Sequence, residues 1–169
     1  MDKKEIIQVW DLINKGEFSL AERNISLLIN NYPNIYSYQN ILAIIYANQK
    51  KFHQSIVVLE KIIKLSPDFI DAYINLGNIY FNLGRLEKSV NCFKRATAIH
   101  PNHKIALFNL ARSLNKQNKF DRAAKIYEKL ITKEPNNIDF LNNYSSNQIK
   151  IGQINTADKI LKKILKLDS

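Results

Sequence analysis

Between Asp71 and Ala98 the apolar and small residues fall at helical spacing twice over. The first series runs Tyr73, Leu76, Gly77 and Tyr80; after Gly84 a second runs Leu86, Ser89, Val90, Phe93 and Ala96. Residues three and four apart share one face of an α-helix, so each series predicts an amphipathic helix. Gly84 stands between them, where it can take the positive φ that ends a helix. Pro101 follows the second series, past its end, where it costs no helical hydrogen bond. The segment predicts helix, tight turn, helix, stop.

The pattern is copied along the chain. Pro33, Pro67, Pro101 and Pro135 stand 34 residues apart, and Leu42, Leu76 and Leu110 keep the same interval, as do Tyr46 and Tyr80. Gly16, Gly84 and Gly152 fall at twice it. A fixed period of a few tens of residues means one structural unit repeated and stacked. One helical pair cannot bury its apolar face alone, so neighbours must cover it. The repeats are 2–35, 36–69, 70–103, 104–137 and an incomplete 138–169, read as a single array over residues 1–169. Turns inside the repeats are expected near Gly16, Lys50, Gly84, Asn118 and Gly152. Small residues at Ala43, Gly77 and Ala111, and at Ser55, Ser89, Ala123 and Ala157, let paired helices approach closely. Tyr46, Tyr80, Phe93 and Tyr127 fill the spaces between pairs.

Tyr73, Leu76-Gly77, Tyr80, Gly84, Ser89, Phe93, Ala96 and Pro101 resemble the tetratricopeptide repeat, which reads aromatic, Leu-Gly, Tyr, glycine turn, Ala, Phe, Ala, Pro. Only Ser89 departs clearly, and serine is also small. The second repeat matches with Leu42, Ala43, Tyr46, Ser55, Leu59, Ile62 and Pro67; the fourth with Leu107, Leu110, Ala111, Leu114, Ala123, Tyr127 and Pro135. The fifth keeps Gly152, Ala157 and Leu161 but carries Tyr144 and Ser145 in the Leu-Gly place. In the first, Glu5 and Gln8 occupy the aromatic and leucine places, so its first helix is expected to be rotated and to bury Ile6, Val9 and Ile13. The resemblance covers the whole chain. It implies an all-α, right-handed superhelical solenoid of five helix-turn-helix repeats, about ten antiparallel helices, in which the first helix of each repeat lines a concave groove. RNA-reading helical repeats of similar length fit the glycine turn and terminal proline less well.

The resemblance also selects groove residues. The sixth place of each repeat faces the groove, and from the second repeat on it holds Ile41, Asn75, Asn109 and Asn143. Other groove places add Asn40, Asn78, Asn82, Arg112, Asn115, Lys116, Asn142 and Ser146. A short amide arm offers one acceptor and two donors, so a row of asparagines can pair with the backbone of an extended peptide. The row is similar to the asparagine ladder in the repeats of O-linked N-acetylglucosamine transferases; asparagine is also frequent at this place in ordinary tetratricopeptide repeats. The carboxylate clamp of chaperone-binding members needs three cations. Its places fall here on Ile74, Asn78, Asn109, Asp139 and Asn143, or on Asn40, Ile44, Asn75, Ile105 and Asn109, with every cation missing. In the first repeat Ile6, Ile7, Trp10 and Ile13 lie on the groove side. Trp10 is either an apolar anchor for a partner or a ring packed over the second repeat.

Composition changes this picture only in part. The chain has 169 residues, is 46% hydrophobic, and carries a formal net charge of +10. Residues 104–137 hold eight basic against three acidic residues, while 2–35 hold four against five. Such a balance suits an acidic polypeptide, or reflects lysine on solvated faces; nucleic-acid binding would rest on charge alone. No apolar run reaches the roughly 18 residues of a membrane span. The single cysteine, Cys92, rules out an internal disulfide, which fits a cytoplasmic protein. His53, His100 and His103 are badly spaced for a metal, no glycine-rich phosphate loop occurs, and no acid–base pair has useful spacing, so neither catalytic residues nor a cofactor or metal is expected. The expected function is a non-catalytic scaffold for an extended peptide; the alternative is the targeting array of a larger enzyme, since the chain stops at Ser169 in the proline place without a polar cap helix. In the last helix Leu161 and Ile164 are expected to pack inward. Ile160, Leu165 and Leu167 then form an assembly surface, covered by further chain or by a second copy.

Overall fold

The structure, a computed structural model, describes residues 3–167. Over that range the chain forms ten α-helices and no strand. They are α1 (Lys3–Asn14), α2 (Phe18–Asn31), α3 (Tyr36–Asn48), α4 (Phe52–Leu65), α5 (Ile70–Asn82), α6 (Leu86–Ile99), α7 (Lys104–Lys116), α8 (Phe120–Lys133), α9 (Ile138–Ile151) and α10 (Ile154–Leu167). The second helices all start 34 residues apart, and so do the first helices from α3 on. The expected all-α set of helix-turn-helix repeats is therefore what the chain forms; Ser169, the residue in the fifth proline place, lies outside the described residues.

The turns explain the period. Each turn within a repeat has one residue in the left-handed region, at the expected place: Gly16, Lys50, Gly84, Asn118 and Gly152. At Gly84 two bonds close the turn, Arg85 N–H to Tyr80 C=O at 2.8 Å and Gly84 N–H to Phe81 C=O at 3.0 Å. This is the Schellman closure, which satisfies the last carbonyls of the helix. Lys50 and Asn118 make the same closure at φ 61° and 60° despite their Cβ atoms. The four prolines do more than stop helices. Each is the second residue of a β-turn, as in Ile35 N–H to Tyr32 C=O at 3.2 Å and His103 N–H to His100 C=O at 3.0 Å. The fixed φ of proline is preset for that position.

The molecule divides into two compact units, one ending at Ile79 and one beginning at Tyr80, with the division inside α5. In the first unit Val9, Ala21, Ile25, Leu28, Tyr38, Ile41 and Ile45 form one buried cluster, with Ile6, Leu12 and Ile13 packed against it. The first helix is thus turned as expected. Ser55 is fully buried and its Oγ donates to the Ala43 carbonyl at 2.6 Å, fixing the close approach of α3 and α4. In the second unit Phe93, Tyr127, Leu130 and Leu141 are fully buried, and the rings of Phe140, Phe108, Tyr127 and Tyr144 touch in series. Tyr80 is buried there; Tyr46, in the first unit, is only half-buried. Helices α7 and α9 start with side-chain caps: His103 Nδ1 accepts from Ala106 N–H and Asn137 Oδ1 from Phe140 N–H. Such caps satisfy amides that have no partner inside the helix.

Candidate functional site

Of the expected groove residues, Asn40 on α3 and Asn75 and Asn78 on α5 fall in the first unit. Asn40 is buried, and Asn75 and Asn78 are half-buried. Asn75 Nδ2 donates to Asn40 Oδ1 at 2.8 Å, joining α3 to α5. Ile41, at the place expected to begin the row, belongs to the buried cluster. On α1 Ile7 is well exposed and Trp10 is just over a third exposed. The one cation stacked on an aromatic ring in this unit, among the described residues, is Lys51, 5.6 Å from the Tyr46 centroid and paired with Glu22 at 3.4 Å.

In the second unit α7 packs against α9. Along α7 lie Asn109, Arg112, Asn115 and Lys116; Asn109 is buried, Asn115 half-buried, Arg112 and Lys116 exposed. The Arg112 guanidinium stands 5.0 Å from the Phe81 centroid and 5.7 Å from that of Phe108, and its Nη1 donates to Asn109 Oδ1 at 3.3 Å. On α9 Asn142 and Ser146 are exposed and Asn143 is half-buried. Asn143 turns its Nδ2 back to the Asp139 carbonyl at 2.8 Å. Asn82, at the end of α5, is exposed.

One residue of this face escapes the sequence reading. Asn147 is fully buried; its Nδ2 donates to Asn115 Oδ1 at 3.2 Å and to the Phe120 carbonyl at 3.0 Å. It ties α9 to both α7 and the start of α8. The signal was present, because the same place holds Ile45 and Ile79 in earlier repeats, so a polar residue there has to find partners inside the protein.

Electrostatics follow from burial. The Tyr127 phenol is pushed well above the ordinary tyrosine range by burial, with the Arg112 charge pulling weakly the other way. The Tyr144 phenol is raised by burial and by donating to Glu128 Oε1 at 2.8 Å. At the foot of the fourth repeat Glu134 is held below the usual glutamate range by hydrogen bonds from Lys104 and Asn137.

The last helix differs from its counterparts. Ile25, Leu59, Phe93 and Tyr127 share one repeat place and are all fully buried, whereas Leu161 in that place is 41% exposed. Ile164 is buried as expected. Ile160, expected outward, is half-buried; Leu165 and Leu167 are exposed. The helix turns Leu161 outward instead of Ile160, and Lys159, Lys162, Lys163 and Lys166 line a shallow depression beside it.

Among the described residues no three His, Cys, Asp or Glu side chains come together to hold a metal ion, and no helix is long and apolar enough to cross a membrane. Cys92 is half-buried on α6, and His100 packs edge-on against His103 in the turn before α7.

Paired helices with a 34-residue period and Schellman turns define a helical repeat module. Three family models match, all of them repeat models: tetratricopeptide repeat over residues 70–103, TPR repeat over 44–84, and YpiA-like C-terminal tetratricopeptide repeats over 105–168. Together they account for most of the chain, which belongs to the tetratricopeptide-repeat family. Among solved structures it is similar to a crystal structure of MamA (TM-score 0.82, 23% identity, 99% of this chain and 95% of that one). It is also similar to MamA 41-end from Desulfovibrio magneticus RS-1 (0.83, 16%, 98% and 94%) and to TTC0263, a thermophilic TPR protein of Thermus thermophilus (0.79, 13%, 99% and 91%). At these identities the likeness is one of fold. No curated protein sequence matches the chain.

Proposed function

We propose that the α7/α9 face of the second unit binds an extended polypeptide segment and that the protein is a non-catalytic interaction scaffold. The observation that carries this reading is the cross-helix bond between Asn147 and Asn115. It fixes the Asn115 amide on α7 before any ligand arrives; Asn109 lies on the same helix, and Asn142 and Asn143 lie on α9. Preset amides lose little conformational freedom on binding, so each hydrogen bond they make to a peptide backbone keeps more of its energy. Extended peptides suit such a face because their N–H and C=O groups need partners that an amide supplies in both senses. The first unit's Asn40–Asn75 pair is built in the same manner.

The test is a double variant, Asn109→Ala with Asn143→Ala, assayed by fluorescence anisotropy against a peptide selected on the parent protein. Each lost hydrogen bond should weaken binding by about 0.5–1.5 kcal/mol. Affinity equal to the parent's would overturn the reading.

A further inference from the structure

We infer that Arg112 is a carboxylate receptor, which selects polypeptides carrying an aspartate or glutamate at one fixed position. The inference rests on the peptide-binding reading of the same face. Three observations support it.

The first is the setting of the guanidinium. It stands over the Phe81 ring at 5.0 Å and beside Phe108 at 5.7 Å, and both rings attract it through their π faces. The two rings flank the guanidinium, one Nη1 hydrogen goes to Asn109, and the other N–H groups of this exposed side chain are left for a ligand. The guanidinium is planar, and its fork of N–H donors matches the two oxygens of a carboxylate. The second is charge. The Arg112 guanidinium donates to the neutral Asn109 Oδ1, and no carboxylate among the described residues pairs with it. Lys51 in the first unit is the contrast: stacked on Tyr46, it is already neutralised by Glu22. The third is the surroundings. Lys116 follows one turn along α7 on the same side, both cations are exposed, and the repeat that carries them holds eight basic residues against three acidic. An acidic side chain arriving here meets no like charge on α7, which has no acidic residue along its length.

The experiment pans a random dodecapeptide display library on the full chain and on its Arg112→Gln and Arg112→Lys variants. On the parent, Asp and Glu should be enriched roughly tenfold at one position of the recovered peptides. Arg112→Gln should bring that enrichment to background while peptide recovery persists. Arg112→Lys should retain only a small part of it, because an ammonium neither forks nor stacks equivalently. If Arg112 only braced the fold, recovery of all peptides would fall together with no change in acidic preference, and that result would overturn the inference. So would an acidic preference on Arg112→Gln equal to the parent's; in that case the peptide-binding reading stands. Recovery of no peptide on the parent would sink the peptide-binding reading and the inference with it.

Discussion

The same buried place in successive repeats holds Ile45 and Ile79 in the first unit and Ser113 and Asn147 in the second. The frame is common, and the chemistry placed on it is not. In the first unit the place is filled by apolar packing. In the second it is polar, and each polar group has a partner: Ser113 Oγ meets Ser89 Oγ at 3.0 Å, and Asn147 reaches Asn115 and the Phe120 carbonyl. A buried polar group costs stability unless bonded, so its presence marks a position where fixed geometry replaces simple adhesion. The polar places lie in the helices that carry the amide face. The difference teaches that one repeat frame accepts, at the same buried place, either an apolar side chain or a polar one whose partners are supplied by neighbouring helices.

The sharpest way to break this comparison is to empty the place in each unit. Ile45→Ala removes a fully buried branched side chain from a closed cluster and should cost about 2–5 kcal/mol. Asn147→Ala removes less volume but takes a hydrogen-bond donor from the half-buried Asn115 amide and Phe120 carbonyl, and should cost about 1–3 kcal/mol. Urea denaturation of both variants reads the two values. A neutral Asn147→Ala would show that its hydrogen bonds contribute nothing net.

The turns offer a smaller contrast. Lys50 in the first unit and Asn118 in the second both sit in the left-handed region, which penalises a side chain, but asparagine tolerates it better than lysine. Lys50→Gly should therefore stabilise the protein by about 1 kcal/mol and Asn118→Gly by only about a few tenths. Thermal melts of the two variants should rank in that order; the reverse ranking would mean that Lys50 makes contacts worth more than the strain.

The smallest effect is acid sensitivity, and it belongs to the second unit. Glu134 has its carboxyl held below the ordinary value of 4.5 by Lys104 and Asn137. In the folded state it then binds fewer protons than in the unfolded state, so its contribution is present above 4.5 and is lost as pH falls through the lowered value. The corresponding residue of the first unit's second repeat is Ser66, which does not titrate. Denaturation midpoints of the parent and Glu134→Gln should diverge at neutral pH and converge once the pH has fallen below the lowered value.

Much of the fold was legible. Proline and glycine mark the turns, asparagine suits the left-handed place at Asn118, and the period carried Lys50 into such a place although lysine would not suggest it. The helix-pair contacts followed from the small residues; Ser55 and Ser89 behave as expected. Of the candidate site, the helix positions were legible and the side-chain contacts less so. Repeat register names Asn109 and Arg112, but not that their side chains bond each other, nor that Phe81 and Phe108 flank the cation, because those distances depend on rotamers. The orientation of α10 differs by one residue from the expected one, with Leu161 outward and Ile160 half-buried. A helix with apolar residues on adjacent positions has two nearly equivalent faces, and only packing chooses between them.

The order of packing bears on how the molecule comes together. The principal contacts in the first unit join α1 to α2, α2 to α3 and α3 to α4; in the second they join α6 to α7 and so on to α10, with α7 also on α9. Every partner is thus close in sequence, and little chain entropy is lost before a contact is gained. Such a protein can begin to fold at any helical pair and grow outward, and it can open one pair at a time. Amide hydrogen exchange should then be graded within the second unit, slow where α7 is clasped between α6, α8 and α9, and fast in α10, which leans on α9.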